Sequence, residues 1–403
     1  MFHKMPYRPI CILLGFLALA ASSGCKLFTS VEPSSYEREV SELEEGFSVT
    51  DVDPRSIGSK LMAVARGSQD TEDAKRAYAE AETKFRSATS FEAGKRRRTF
   101  RRAASGFLKA AEKWPESELE QDALFMASES YFFADDYPEA NELLERVADE
   151  YPNNRHTDII NARRFRIAQY WLELVRIKGE SSFSVNVTDH QRPWRDTTGH
   201  ALRTFDKIRI DDPRGKLADD ATMAAANAYL ASENYYLADE YYEDLRSAFP
   251  NSEHQFMAHY LGVEAKLLSY RGAEYSGVAL DEAEELVKQI WRQFPVDADK
   301  YREQLDKAWV EVRHKQADRD WLTAKFYERR KEFGAAKYQY ALIMKNYDDT
   351  QFSREANLAL AAIADRPNVR DVPFAWIENY VPTQKKAKPL VARNPTATDT
   401  IRR

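Results

Sequence analysis

Glycine is scarce in this chain, 14 in 403 residues. So few leave little material for backbone loops that cradle phosphates. No G-x-x-x-x-G-K-[ST], G-x-G-x-x-G or G-x-S-x-G pattern occurs, so nothing points to a nucleotide site or a serine hydrolase. Cysteine is scarcer still: Cys11 lies in an apolar run near the start and Cys25 just after it. A chain processed at the end of that run has no internal disulfide, and its stability must come from its core. The seven histidines are scattered. His254 and His259 are five apart, off the four-residue spacing of a helical metal pair, and no HExxH or Cys-His cluster exists. No metal and no cofactor are expected. Beyond residue 21 no apolar run approaches the roughly 20 residues that cross a bilayer. Nor does one sign of charge dominate. A net charge of -6 argues against a nucleic-acid-binding protein as a whole. The paired carboxylates Asp135–Asp136 and Asp219–Asp220 read as helix-boundary acids, so no catalytic residue is assigned and no enzyme is expected.

What the chain does have is charge, 31% of residues, together with many strong helix formers. One spacing recurs. Ala103 stands twelve residues before Pro115, Ala140 before Pro152, Ala201 before Pro213, Ala238 before Pro250 and Ala283 before Pro295; Ala336 stands twelve before Asp348. Four residues after each Ala comes a large apolar or aromatic side chain: Phe107, Leu144, Phe205, Tyr242, Val287, Tyr340. Seven after it comes Ala110, Val147, Ile208, Leu245, Ile290 or Ile343. Offsets of four and seven share one helix face, and Pro ends the helix. Tyr131, Tyr229 and Tyr327 each stand nine residues before their Ala.

This pattern resembles the second helix of a tetratricopeptide repeat, although the Trp-Leu-Gly opening of that motif is mostly absent. The closing positions are 37, 61, 37, 45 and 53 residues apart, so the copies are degenerate and carry insertions. The expectation is an all-α, tetratricopeptide-like solenoid of about six helical hairpins over residues 72–365, with an inserted loop at 179–199.

The ends read differently. Lys4 and Arg8 precede an apolar run from Ile10 to Ala21, followed by LAASSGCKL over residues 19–27. These are the parts of a secretory signal, expected over residues 1–24. Gly24-Cys25 resembles a bacterial lipobox, with Ser22 where Leu is usual. The expectation is lipid attachment at Cys25, the alternative being ordinary cleavage after Ala20. Residues 25–71 are acidic with scattered Pro and Ser, as a flexible tether would be. Residues 366–403 carry a basic tail, QKKAKPLVARNPTATDTIRR, expected to be disordered.

In detail the layout resembles the BamD-type (YfiO) outer-membrane lipoproteins. Three features carry the resemblance: the lipobox-like start with repeats closing in EYPNN and AFPNS, the loop GESSFSVNVTDHQRPWRDTTG inside the third repeat, and AKFYERRKEFGAAKYQYALIMKNYDDTQFSREANLAL near the end. It covers roughly residues 70 to 365 and departs in having six repeats rather than five. It implies a periplasmic, lipid-anchored adaptor in outer-membrane barrel assembly, whose partner is a barrel protein with periplasmic domains. A general periplasmic scaffold for envelope or cell-wall assembly, or a soluble periplasmic protein, is the alternative.

Candidate contact residues follow from exposure and chemistry. Phe183, Val185 and Trp194 place apolar side chains on the inserted loop, which folds them back or offers them to a partner. Tyr235, Tyr236 and Tyr241 beside Tyr242 are too many for one buried stripe, so the first three read either as lining a groove or rim or as filling between layers of the solenoid, with Tyr131, Tyr229 and Tyr327 as further candidates. Lys95, Arg96, Arg97, Arg98, Arg101 and Arg102 form a basic patch, read either as a surface for anionic lipid or an acidic partner, or as a solvated face balanced by nearby Glu.

Overall fold

The structure, a computed structural model, describes residues 69–179 and 185–368. The expected signal, the tether up to residue 68, the tail from residue 369 and Phe183 lie outside the described residues. Within them every regular element is a helix. The first hairpin pairs α1 (Gln69–Ala88) with α2 (Ala93–Lys113), and the second pairs α3 (Glu118–Phe133) with α4 (Tyr137–Glu150). The third joins α5 (Thr157–Lys178) to α6 (Thr197–Asp211), and the fourth α7 (Ala218–Ala231) to α8 (Tyr235–Ala248). The fifth is α9 (Gln255–Ser269) with α10 (Val278–Gln293). A short α11 (Pro295–Lys300) leads into α12 (Arg302–Arg329), which pairs with α13 (Phe333–Asn346), and α14 (Gln351–Ala362) follows.

Contacts divide the chain into two compact units. Apart from Gly272–Glu274, the first reaches Val312 and the second begins at Arg313. In the first, each helix packs mainly on the one before and the one after it, from α1 through α10. That is the nearest-neighbour arrangement of a solenoid. The second unit has its own core of Ala317, Ala324, Ala336, Tyr340, Ile343, Phe352, Ala356 and Ile363.

The recurring spacing is the packing face. All eighteen residues at the Ala position and at four and seven beyond it are at most 1% exposed. A small Ala admits the partner helix closely, and the two larger side chains fill the layer between. Between α1 and α2 the backbones come close enough that a Cβ on Gly106 would lie within 2.8 Å of the Ala81 Cβ.

Each of these six helices stops in the same way. The residue before the Pro or Asp (Trp114, Tyr151, Asp212, Phe249, Phe294, Tyr347) leaves helical geometry with φ between -121° and -142°. Pro bars its predecessor from the helical region. Pro295 has a second role, because it opens α11 at a position where its missing N–H costs nothing.

The turns inside hairpins two, four and six are one structure repeated every 98 residues. Asp136 N–H reaches the Tyr131 carbonyl at 3.0 Å, Asn234 the Tyr229 carbonyl at 2.9 Å, and Glu332 the Tyr327 carbonyl at 3.0 Å. The residue between, Asp135, Glu233 or Lys331, has φ of +61°. This is the Schellman closure, whose left-handed position favours Gly. Replacing Glu233 or Lys331 with Gly is therefore expected to stabilise its unit by about 0.5–1 kcal/mol, read as a rise in urea midpoint.

Charged side chains tie successive hairpins together. Arg155 of the α4–α5 connection grips the Asp122 carboxylate at 2.6 and 2.7 Å. One double-repeat later, the His254 ring sits 2.7 Å from buried Asp220. Burial pulls the His254 pKa down, but the bond to Asp220 outweighs it and leaves the pKa above its ordinary value. On α9, Lys266 reaches both Asp239 of α8 and Glu282 of α10 at 2.7 Å.

Candidate partner-docking groove

A cavity of about 960 Å³ opens between α5, α6 and α7. One wall is α7, where Ala224, Ala228 and Ala231 recur at four and three residues and keep that side shallow. The opposite wall is α5, with Leu172 and Val175 among Gln169, Glu173 and Arg176. Glu173 and Arg176 are paired at 2.7 Å, and that hydrogen bond holds the Glu173 carboxyl below its usual range. Phe205 of α6, itself fully buried, forms part of the lining and meets Phe165 edge-on at 5.2 Å. The Gln169 Oε1 is buried here without a hydrogen-bond partner. The groove thus offers a channel of mixed apolar and polar lining with both signs of charge, suited to a peptide segment or domain edge.

The inserted loop closes over the end of α5 and is internally braced. Gln191 accepts from the Tyr170 hydroxyl at 2.7 Å through its side chain and from the Trp171 ring N–H at 2.9 Å through its carbonyl. The Asn186 amide donates to the carbonyls of Asp189 and Arg192 at 2.6 and 2.9 Å, and its backbone N–H to the Trp194 carbonyl at 2.7 Å. Held this way, the loop leaves Val185 exposed and Val187 and Trp194 largely exposed, with the Arg195 guanidinium near the Trp194 ring. Five hydrogen bonds thus hold three apolar side chains in water.

The tyrosines divide. Tyr236 is 74% exposed at the start of α8, and Tyr235 is half-buried. Tyr241 is buried rather than on a rim: its hydroxyl donates to Asp206 at 2.5 Å and its ring lies 5.1 Å from Tyr229. The backbone carbonyls of Tyr131, Tyr229 and Tyr327 close the turns described above, and their half-buried rings stand outside the groove lining. The groove's own residues, Gln169, Arg176 and the α7 alanines, escaped the sequence reading. The one signal for them was the run ATMAAANAYLA, unusually small for the first helix of a hairpin.

The basic patch is part structural. Arg97 pairs with Asp135 at 2.6 Å and Arg101 clamps Asp136 with two bonds of 2.5 Å. The partners are thus the aspartates of the next hairpin's turn rather than nearby Glu. Among the described residues no group of three or more His, Cys, Asp or Glu is gathered to hold a metal ion, and no helix is long and apolar enough to cross a membrane.

One half-buried acid lies outside these pairs. Glu264 on α9 is pushed up to about 7 by burial. The neutral form is favoured in the fold, so Glu264 supports stability below about pH 4.5 and withdraws it as pH rises through 7. Glu264→Gln is expected to be more stable than wild type by about 2 kcal/mol at pH 8 and indistinguishable at pH 4, as measured by urea unfolding.

In the first unit five helical hairpins stacked in order, each touching its neighbours, define a tetratricopeptide-like repeat array, and residues 122–154, the second hairpin, match the tetratricopeptide repeat family model. Residues 186–367, from inside the loop to just beyond α14, match the model of the family described as YfiO, outer membrane lipoprotein. Together the two matches support a tetratricopeptide-repeat protein of the BamD (YfiO) type. A comparison with curated proteins finds no match. Both families are non-catalytic protein-interaction scaffolds, and the second associates with the outer membrane.

Proposed function

We propose that this chain is a non-enzymatic adaptor of outer-membrane β-barrel assembly, held at the periplasmic face by lipid on Cys25. The groove between α5, α6 and α7 and the braced loop dock a periplasmic domain of a barrel protein. The observation that supports this reading is the match to an outer-membrane lipoprotein family, which begins inside the loop and includes two of the three groove helices. Attachment through both lipid and groove raises the effective concentration of the partner without any new contact.

The test is affinity purification of the full-length protein from detergent-solubilised membranes, beside Cys25→Ala and a Val187→Asp/Trp194→Asp loop variant. A barrel protein with periplasmic domains is expected with the wild type and lost from the loop variant, while Cys25→Ala leaves the membrane fraction. Recovery of cell-wall assembly proteins alone puts the general scaffold in its place.

A further inference from the structure

The first half of α2 works against its own helix dipole. Its first turn holds no acid, and Lys95, Arg96, Arg97 and Arg98 crowd the end that carries partial positive charge. Arg97 and Arg101 are used on the aspartates of the next hairpin. Lys95 lies over the Phe91 ring at 3.7 Å and Arg98 donates to the Gly94 carbonyl, contacts that leave both charges uncompensated. Lys95, Arg96, Arg98 and Arg102 are exposed and make no ion pair with any described residue. Glu92 is the one acid adjoining them in sequence. Folding places these four cations side by side, and no described residue gives them a counter-charge.

The same chain carries a counter-charge of matching size. Between Glu32 and Asp53 there are eight acids and one Arg. Reach is ample. α1 is 20 residues long, which sets its first residue about 30 Å from the start of α2. The 15 residues from 54 to 68 extend to about 50 Å, so the acidic stretch returns to α2 with chain to spare.

We infer that residues 32–53 dock in cis on the cationic face of α2. The contact is electrostatic and exposed, so salt screens it. It has a consequence that rests on the proposed lipid at Cys25. Free, the 43 residues between Cys25 and α1 let the repeats stand more than 100 Å from the bilayer; with the acidic stretch docked, six residues remain before it, about 20 Å of chain. The docked state thus holds the start of α2 close to the membrane, and release of the stretch lets the repeats move away.

The experiment uses the full chain with Cys11→Ser and Cys25→Ser, and dyes on Ser41→Cys and Gly94→Cys, the latter chosen because a side chain there meets nothing within 4 Å. With no lipid and no partner present, energy transfer between the dyes reports the contact independently of the adaptor role. Transfer is expected to be high at 20 mM salt and to fall at least twofold by about 0.5 M, beyond which screening is nearly complete. It is expected to drop as far in Arg96→Glu/Arg98→Glu/Arg102→Glu, and to return when Glu42→Arg/Glu44→Arg/Glu45→Arg is added to that variant. Transfer indifferent to salt and to charge reversal overturns the proposal. So does loss of wild-type transfer on adding phosphatidylglycerol vesicles but not phosphatidylcholine vesicles, which makes anionic lipid the occupant of the patch.

Discussion

Arg163→Met is expected to cost the five-hairpin unit about 3–5 kcal/mol, a large part of the stability of an ordinary domain. Arg163 on α5 meets Glu129 on α3 through two bonds of 3.0 and 3.2 Å. The Glu129 side chain is wholly buried and that of Arg163 is 5% exposed. The guanidinium also lies over the Phe132 ring at 4.5 Å. Removing the cation strands a carboxylate with no route to water, and that stranding, more than the lost attraction, sets the size of the effect. The double variant Arg163→Met/Glu129→Leu is therefore expected to recover most of the loss. Urea unfolding of the two variants beside wild type checks both statements. Equal losses in the single and double variants would show that the pair contributes chiefly through packing.

Phe205→Ala is expected to cost a similar amount, about 3–5 kcal/mol, by a different route. The side chain sits four residues after Ala201 and is fully buried, packed edge-on against Phe165. It also borders the groove, so truncation leaves a void that opens into a cavity the protein already has. A void joined to solvent is partly filled by water, which places this variant at the lower end of the range. Phe205→Leu keeps most of the volume and is expected to lose less than half as much. The same unfolding measurement separates the two.

The core was legible because burial imposes a period. Ala238, Tyr242 and Leu245 must share one face to meet the partner helix, and the offsets of four and seven record that need directly. The closing Pro was legible for an equally local reason. The cross-hairpin chemistry was not, since Arg163 and Glu129, or Arg101 and Asp136, stand more than thirty residues apart and nothing in the intervening sequence marks them as partners. Tyr241 read as surplus because Tyr242 already filled the apolar position. A polar partner, Asp206 on α6, makes room for a second buried ring. Left-handed turns were hidden by their residues, Asp135, Glu233 and Lys331, none of which advertises a positive φ as Gly would. The groove is assembled by three helices from two hairpins, so no single stretch of sequence contains it.

From the second hairpin to the sixth, the connections inside the hairpins alternate in kind. Those of hairpins two, four and six are three residues long and closed by the same pair of hydrogen bonds, while the third hairpin carries residues 179–196 between its helices and the fifth carries 270–277. A closed three-residue turn has no slack: one added residue breaks its six-to-one bond and shifts the register of the following helix. The longer connections have no such register to lose. The third and fifth hairpins are thus ports at which foreign sequence can be spliced in while their neighbours keep the array in phase. Lineages built on this frame are free to change what they grip without redesigning what holds them up.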